Sequence, residues 1–332
     1  MATKKEYLPN IELWFERLGH KSKDDWFQSA LASQRDWLKK DYSGAMEQRF
    51  MGVSMAYRNR AWRSWFLEKD LNAFRLNMLH HSILNIAHHA RLSAYYAESL
   101  EQWILPALLA NHLEGIHWHS QHLVPGFNRY NEVPKTAPDA MTLGSYTARG
   151  IQFRLVLQAD WETVLERAEI VVANPEILMR KADLWDWKFD IAIANGDVKT
   201  MEAIVRKLLT PALKKAHDDA YFGAGGLFTP LAMLHLKIAR YHGYELDVVS
   251  PWIPQEWLDM KPLENPVIFE ESKHVDIYEA YKIDGHYWNG PIDYLPLKPR
   301  RPGEPPVTFQ ECWDLLSSDV KKEYFYKNPK ND

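Results

Sequence analysis

The chain has 332 residues, enough for one large domain or two ordinary ones, and 46% of them are apolar and 13% aromatic, which is too rich in core-forming side chains for a disordered polymer. The formal net charge is −4, with a slight excess of Lys and Arg over the first 150 residues and a slight excess of Asp and Glu after them. No segment therefore carries the clustered positive face of a nucleic-acid footprint, the lone Cys312 excludes an intramolecular disulfide, and no uncharged apolar run reaches the roughly 18 residues of a membrane span.

The start, Met-Ala-Thr-Lys-Lys-Glu, has no apolar stretch like that of a secretory signal. The expectation is a cytoplasmic protein without nucleic-acid or membrane partners. Residues 10–41 read as two short helices, the first bearing Ile11, Leu13, Trp14 and Leu18, the second opening at Asp24 and Asp25 where carboxylates meet free amides. Residues 44–119 read as three or four helices. Phe50, Met55, Trp62, Trp65 and Phe66 recur every three or four positions, as do Leu76, Leu79, Ile83 and Ile86. Pro106 is expected near a helix start, where its missing N–H costs little. Pro125, Gly126, Pro134 and Pro138 mark a linker at 120–140 and a boundary.

Helix pairs resume over 141–243. Asn174-Pro175-Glu176 reads as a capped helix start, and Asn195-Gly196-Asp197 as a stop followed at once by a new start. Gly243 should end a helix running from about Thr229 to His242. After 244 the prolines crowd, with tyrosines and tryptophans among them, so this segment should pack irregularly over the helical body. A last helix should open at Thr308, with Glu311 completing a capping box. The fold expected is all-α: an antiparallel helical array or bundle with an irregular C-terminal segment rich in proline and aromatics. The organisation expected is an N-terminal helical region at 1–122, a second helical region at 141–260 and a tail at 261–332, with a single continuous domain as the alternative.

No residue set marks a reaction. His80, His81, His88 and His89 share one predicted helix, and His112, His117, His119 and His122 the next. A helix offers two ligands to one metal at i and i+3 or i+4; only His119 and His122 meet that spacing cleanly, and they lack two further ligands. Packed structural histidines are the plainer reading, and no metal or other cofactor is expected. Serines lack the Gly-x-Ser-x-Gly elbow, Cys312 sits in an amphipathic stretch as a small core thiol, and the cluster Gly223-Ala224-Gly225-Gly226 lacks the Lys and Ser/Thr of a phosphate loop. No catalytic residue is therefore assigned.

The most distinctive local pattern is Asp183, Asp186 and Asp190 with Trp185 and Trp187 between them. Spacings of three and four put the acids on one helical stripe. Three readings stand: a solvated face opposite a tryptophan-anchored core, a carboxylate pair for acid–base work, or an acidic docking stripe for a partner with a basic surface. Asp183, Trp185, Asp186 and Asp190 are the candidate partner-binding residues.

The stretch from Gly226 to Leu258 runs through an apolar helix, a basic-Tyr241-His242-Gly243 stop, a short extended piece and an Ile253-Pro254 turn ending at Leu258. It resembles the closing segment of the immunity protein 49 family, over about a third of the chain when the compatible helices 141–220 are included; the residues after 258 depart from that pattern. The resemblance implies a helical protein that sits beside a bacterial polymorphic toxin, one delivered for example by a type VI system, and neutralises it by direct stoichiometric binding that occludes the toxin's active site. A helical enzyme with a histidine-based metal site and a general helical scaffold are the alternatives.

Overall fold

In a computed structural model the described residues are 46–91, 100–121, 146–178, 180–218 and 226–269, together with Pro9, Ile11, Leu143 and a short strand pair. They form an all-α array. The helices are α1 (Met46–Phe66), α2 (Leu71–Arg91), α3 (Leu100–Ala110), α4 (Leu113–Gln121), α5 (Tyr146–Gln158), α6 (Trp161–Ala173), α7 (Leu184–Ala194), α8 (Val198–Leu208), α9 (Pro211–Asp218) and α10 (Pro230–Tyr241). The strand pair, β1 (Lys282–Ile283) and β2 (His286–Tyr287), is antiparallel and two residues long on each side.

Consecutive helices pack as neighbours: α1 along α2, α2 on α3, α4 on α5, α6 on α7 and α7 on α8, while α10 reaches back to α3 and α8. Short stops produce this. Lys69 takes a left-handed φ of 57° after α1, and Asp70 accepts the Ala73 N–H at 2.9 Å to open α2. Gly196 takes φ 65° after α7, and the Asp197 carboxylate accepts the Thr200 N–H at 3.1 Å to cap α8. Gly243 takes φ 84° just beyond α10. These last two are the stops read from the sequence.

One apolar cluster runs from Ala61 in α1 to Leu258, drawing on helices from both sides of the expected 120–140 boundary. The two helical regions thus share a core; the linker itself lies outside the described residues. α8 is amphipathic and buries Met201, Ile204, Val205 and Leu208. α10 differs: every residue from Pro230 to Ala239 is buried, so it is the central rod, surrounded on all sides.

The irregular chain after α10 closes the core. Trp257, in a 3₁₀ turn at Gln255–Trp257, is fully buried. Its ring stacks on Phe74 with centroids 4.3 Å apart and planes 8° apart, lies 5.9 Å from Trp62, and meets Phe66 and Phe228 edge-on. Farther along, Phe269 stacks on Tyr57 at 5.6 Å, and His80 Nε2 lies 3.2 Å from the Val267 carbonyl. The proline-rich segment packs over the body as its aromatic content implied, as far as residue 269.

Two local expectations need correction, and two others fall largely or wholly outside the described residues. Pro106 lies in the second turn of α3, not at its start, so α3 forgoes one internal hydrogen bond there. Asn174-Pro175-Glu176 opens only a single 3₁₀ turn, Pro175–Ile177, without a side-chain cap; the Asn174 amide instead donates back to the Ile170 carbonyl at 2.8 Å and closes α6. The helix pair expected at 10–41 is described only at Ile11, which packs against the core; the helix expected from Thr308, with Cys312, lies outside the described residues.

Removing the Trp257 indole opens a cavity ringed by five aromatic side chains, Trp62, Trp65, Phe66, Phe74 and Phe228. Trp257→Ala is expected to lower unfolding free energy by about 3–5 kcal/mol in urea titration, whereas Val249→Ala, at a residue 80% exposed, should stay within about 0.5 kcal/mol.

Candidate partner-docking site

The acidic stripe of α7 points into the protein. Asp186 is 2% exposed, Asp190 1% and Asp183 9%. Asp186 Oδ1 lies 2.7 Å from His235 Nε2 on α10. Asp190 pairs with the Arg149 guanidinium on α5, which in turn lies over the Phe153 ring at 4.1 Å and the Trp187 ring at 5.3 Å. Asp183 meets Arg180 at 2.8 Å. The expectation of a surface stripe, whether solvated or docking, is therefore corrected for the three acids. Their spacing of three and four does put them on one face, but that face is the one α7 turns toward α5 and α10. Trp187 lies within this buried side, while Trp185 does not.

The electrostatics explain why the cluster holds. Two carboxylates share one guanidinium and one imidazole. Burial pushes the Asp190 carboxyl above its ordinary range, against the downward pull of Arg149. His235 sits between Phe189, 4.2 Å away, and Phe153; burial, reinforced by Arg149, lowers its pKa to about 3. At neutral pH the ring is uncharged, and its Nε2–H donates to Asp186. His235 has no exposed surface, so the arrangement orients side chains and offers them no route to a substrate.

Most of the other described histidines are likewise built in. His81 Nδ1 lies 2.6 Å from Ser54 Oγ, whose hydroxyl donates to the His81 carbonyl at 3.1 Å. His112 Nδ1 lies 3.1 Å from Ser82 Oγ. His80 packs against Phe269 with ring centroids 4.2 Å apart, His119 is buried edge-on to Trp118, and His117 is exposed. His119 and His122 cannot be compared as a pair, because His122 lies outside the described residues, as do the side chains of His88 and His89. Among the described residues no three His, Cys, Asp or Glu side chains gather around a common point, and no helix is long and apolar enough to cross a membrane.

What α7 shows to solvent is a groove against α8. Trp185, Lys188, Ile191, Ala192 and Asn195 line one wall, and Asp197, Thr200, Ala203, Ile204 and Lys207 the other, around a cavity of about 520 Å³. Trp185, half-buried, stands at its edge with the Lys188 ammonium 5.0 Å and the Lys207 ammonium 5.6 Å from its ring centroid. Of the four candidate residues, Trp185 alone reaches an open surface, and the charge beside it is positive.

Sequence reading missed Arg149, His235 and Lys237. The signal was present: one histidine and one lysine inside an otherwise apolar ten-residue run, Pro230–Ala239, can be buried only with partners waiting. It also missed Lys188 and Lys207, whose positions relative to Trp185 depend on how α8 folds back on α7.

Arg149→Met strips the buried acids of their cation; a loss of about 3–5 kcal/mol is expected by urea denaturation. A second expectation concerns pH. His235 and His81 are held to about 3, and His112 and His242 to about 4, chiefly by burial. Unfolded histidines titrate near 6.5, so between about 6.5 and 3 the unfolded chain binds more protons than the folded one. Stability should therefore fall as pH drops through that window, by about 1.4 kcal/mol per pH unit for each such histidine. Urea midpoints at pH 7, 6 and 5 measure this, and the His235 ring proton signals should not move between pH 8 and 5.

Comparison with family models, curated proteins and solved structures returned no match to the chain, so the role of this groove rests on its geometry.

Proposed function

We propose that this chain is a binding protein of the immunity class, which neutralises a cognate bacterial toxin in the cytoplasm by stoichiometric docking. The observation that carries the reading is the groove between α7 and α8. An aromatic ring at an open edge, a floor of small aliphatic side chains and cations at the rim combine the features of a protein-docking hot spot. The resemblance of Gly226–Leu258 to the immunity protein 49 family supplies the class, and the rigid core behind α7 supplies preorganisation, which lowers the entropic cost of association.

The charge argument for a basic partner rested on Asp183, Asp186 and Asp190 standing at the surface. Their burial removes that support, and the groove that is open carries lysines.

The test is co-expression with the product of the adjacent gene. A 1:1 complex at nanomolar to micromolar concentration, together with rescue of cell growth from that product's toxicity, is the expected result. Absence of a complex at ten micromolar each, or growth arrest unchanged by this chain, removes the immunity reading.

A further inference from the structure

The occupant of the α7–α8 groove can be narrowed by its own charges. Lys188 and Lys207 stand on different helices and bring their ammonium groups within 5.0 and 5.6 Å of the Trp185 centroid. Among the described residues neither has a carboxylate partner. The one acid lining the groove, Asp197, is already committed: its carboxylate accepts the Thr200 N–H at 3.1 Å and the Thr200 hydroxyl at 2.6 Å, which caps α8 and holds its pKa below the ordinary range. Two cations thus flank one indole, and among the described residues neither has an anion partner. The floor beneath them is apolar, formed by Ile191, Ala192, Ala203 and Ile204.

Size narrows it further. A space of about 520 Å³ accommodates a few side chains of a partner segment. Its occupant must bring negative charge to the rim and apolar atoms to the floor within a short stretch of chain.

We propose that the groove receives a short acidic–apolar segment of the partner protein, with a Glu or Asp carboxylate set between Lys188 and Lys207 and the adjoining Leu, Ile or Phe side chain against Trp185 and Ile204. This rests on the binding-protein reading above and specifies its chemistry. The carboxylate supplies the counter-charge that neither ammonium group has among the described residues, and the apolar neighbour covers the exposed part of the indole. Charge complementarity of this kind fixes orientation and speeds association, and salt weakens it.

Two measurements test the proposal separately from the immunity reading. In the first, a blocked peptide, acetyl-Asp-Glu-Leu-Phe-Glu-Asp-amide, and its counterpart with every acid replaced by Lys are titrated calorimetrically into the full chain. The acidic peptide is expected to bind at least tenfold more tightly, to weaken at 0.5 M NaCl, and to protect amides of 185–207 from hydrogen exchange. The double variant Lys188→Glu/Lys207→Glu and the single variant Trp185→Ala should each lose at least tenfold, with thermal midpoints near that of the wild type, while Lys215→Glu on α9 changes nothing. Equal affinity for both peptides, or full affinity in the double variant, overturns the proposal. In the second, the same variants are combined with the neighbouring gene product. A wild-type complex that the double variant forms equally well overturns the groove proposal and leaves the immunity reading standing. No wild-type complex at all removes the immunity reading, and the peptide titration still decides the groove.

Discussion

A buried ammonium group anchors the irregular chain that follows α10 to the helices. Lys237, in the middle of α10, has no exposed surface. Its Nζ donates to Asn111 Oδ1 at 2.5 Å, to the Trp257 carbonyl at 3.0 Å and to the Asp259 carbonyl at 2.6 Å, so all three N–H groups are used. Two more helices grip the same few residues. Arg75 of α2 donates to Asp259 Oδ1 at 2.7 Å and to the Glu256 carbonyl at 3.1 Å, and the Asn111 amide, just past α3, donates to Asp259 Oδ1 at 3.1 Å and to the Lys261 carbonyl at 2.8 Å. Asn111 reaches them from a left-handed φ of 53°, a conformation Asn tolerates better than most residues. Burial, with the Arg75 guanidinium as a second cause, lowers the Lys237 pKa to about 7. Three helices therefore converge on the loop that carries Trp257 and deliver that indole into its aromatic socket.

The same economy governs α7. A helix with acids at 183, 186 and 190 could have shown them to water, where each is solvated at no cost. Turned inward, each needs a partner, since an unpaired buried carboxylate is prohibitive. Arg149 and His235 supply it from α5 and α10. A buried ion pair of this type adds little net stability over an apolar replacement, but losing one partner is severe. Its effect is to fix α7 in one rotation against α5 and α10.

That rotation decides the surface. With the acids turned inward, Trp185, Lys188 and Ile191 of α7 are left half-buried along α8, and the α7–α8 groove results. The buried network and the proposed docking surface are thus two sides of one helix. A change that lets α7 turn would disturb both. The groove is a consequence of the core, and its positive rim follows from which charges the core consumed.

Much of the architecture is legible in the residues themselves. Gly196-Asp197 and Gly243 announce their stops because a left-handed position and an N-cap are local needs, met within four residues. The helical periodicity of Met201, Ile204, Val205 and Leu208 is equally local, and so is the all-round apolar character of α10, which marks a central helix. Pro106 and Asn174 were harder: a proline inside α3 and an asparagine closing α6 are tolerated because tertiary packing outweighs a single lost or redirected hydrogen bond. The candidate site divides along the same line. The sequence by itself determined that Asp183, Asp186 and Asp190 share a face and that Trp185 lies off it. It could not say which face looks inward, because Arg149 is 41 residues from Asp190 and His235 is 49 from Asp186. Only the tertiary structure brought those cations and rings to the stripe and left two lysines, from two helices, around one half-buried indole; pairing over such distances depends on how the helices stack, and no local pattern encodes that.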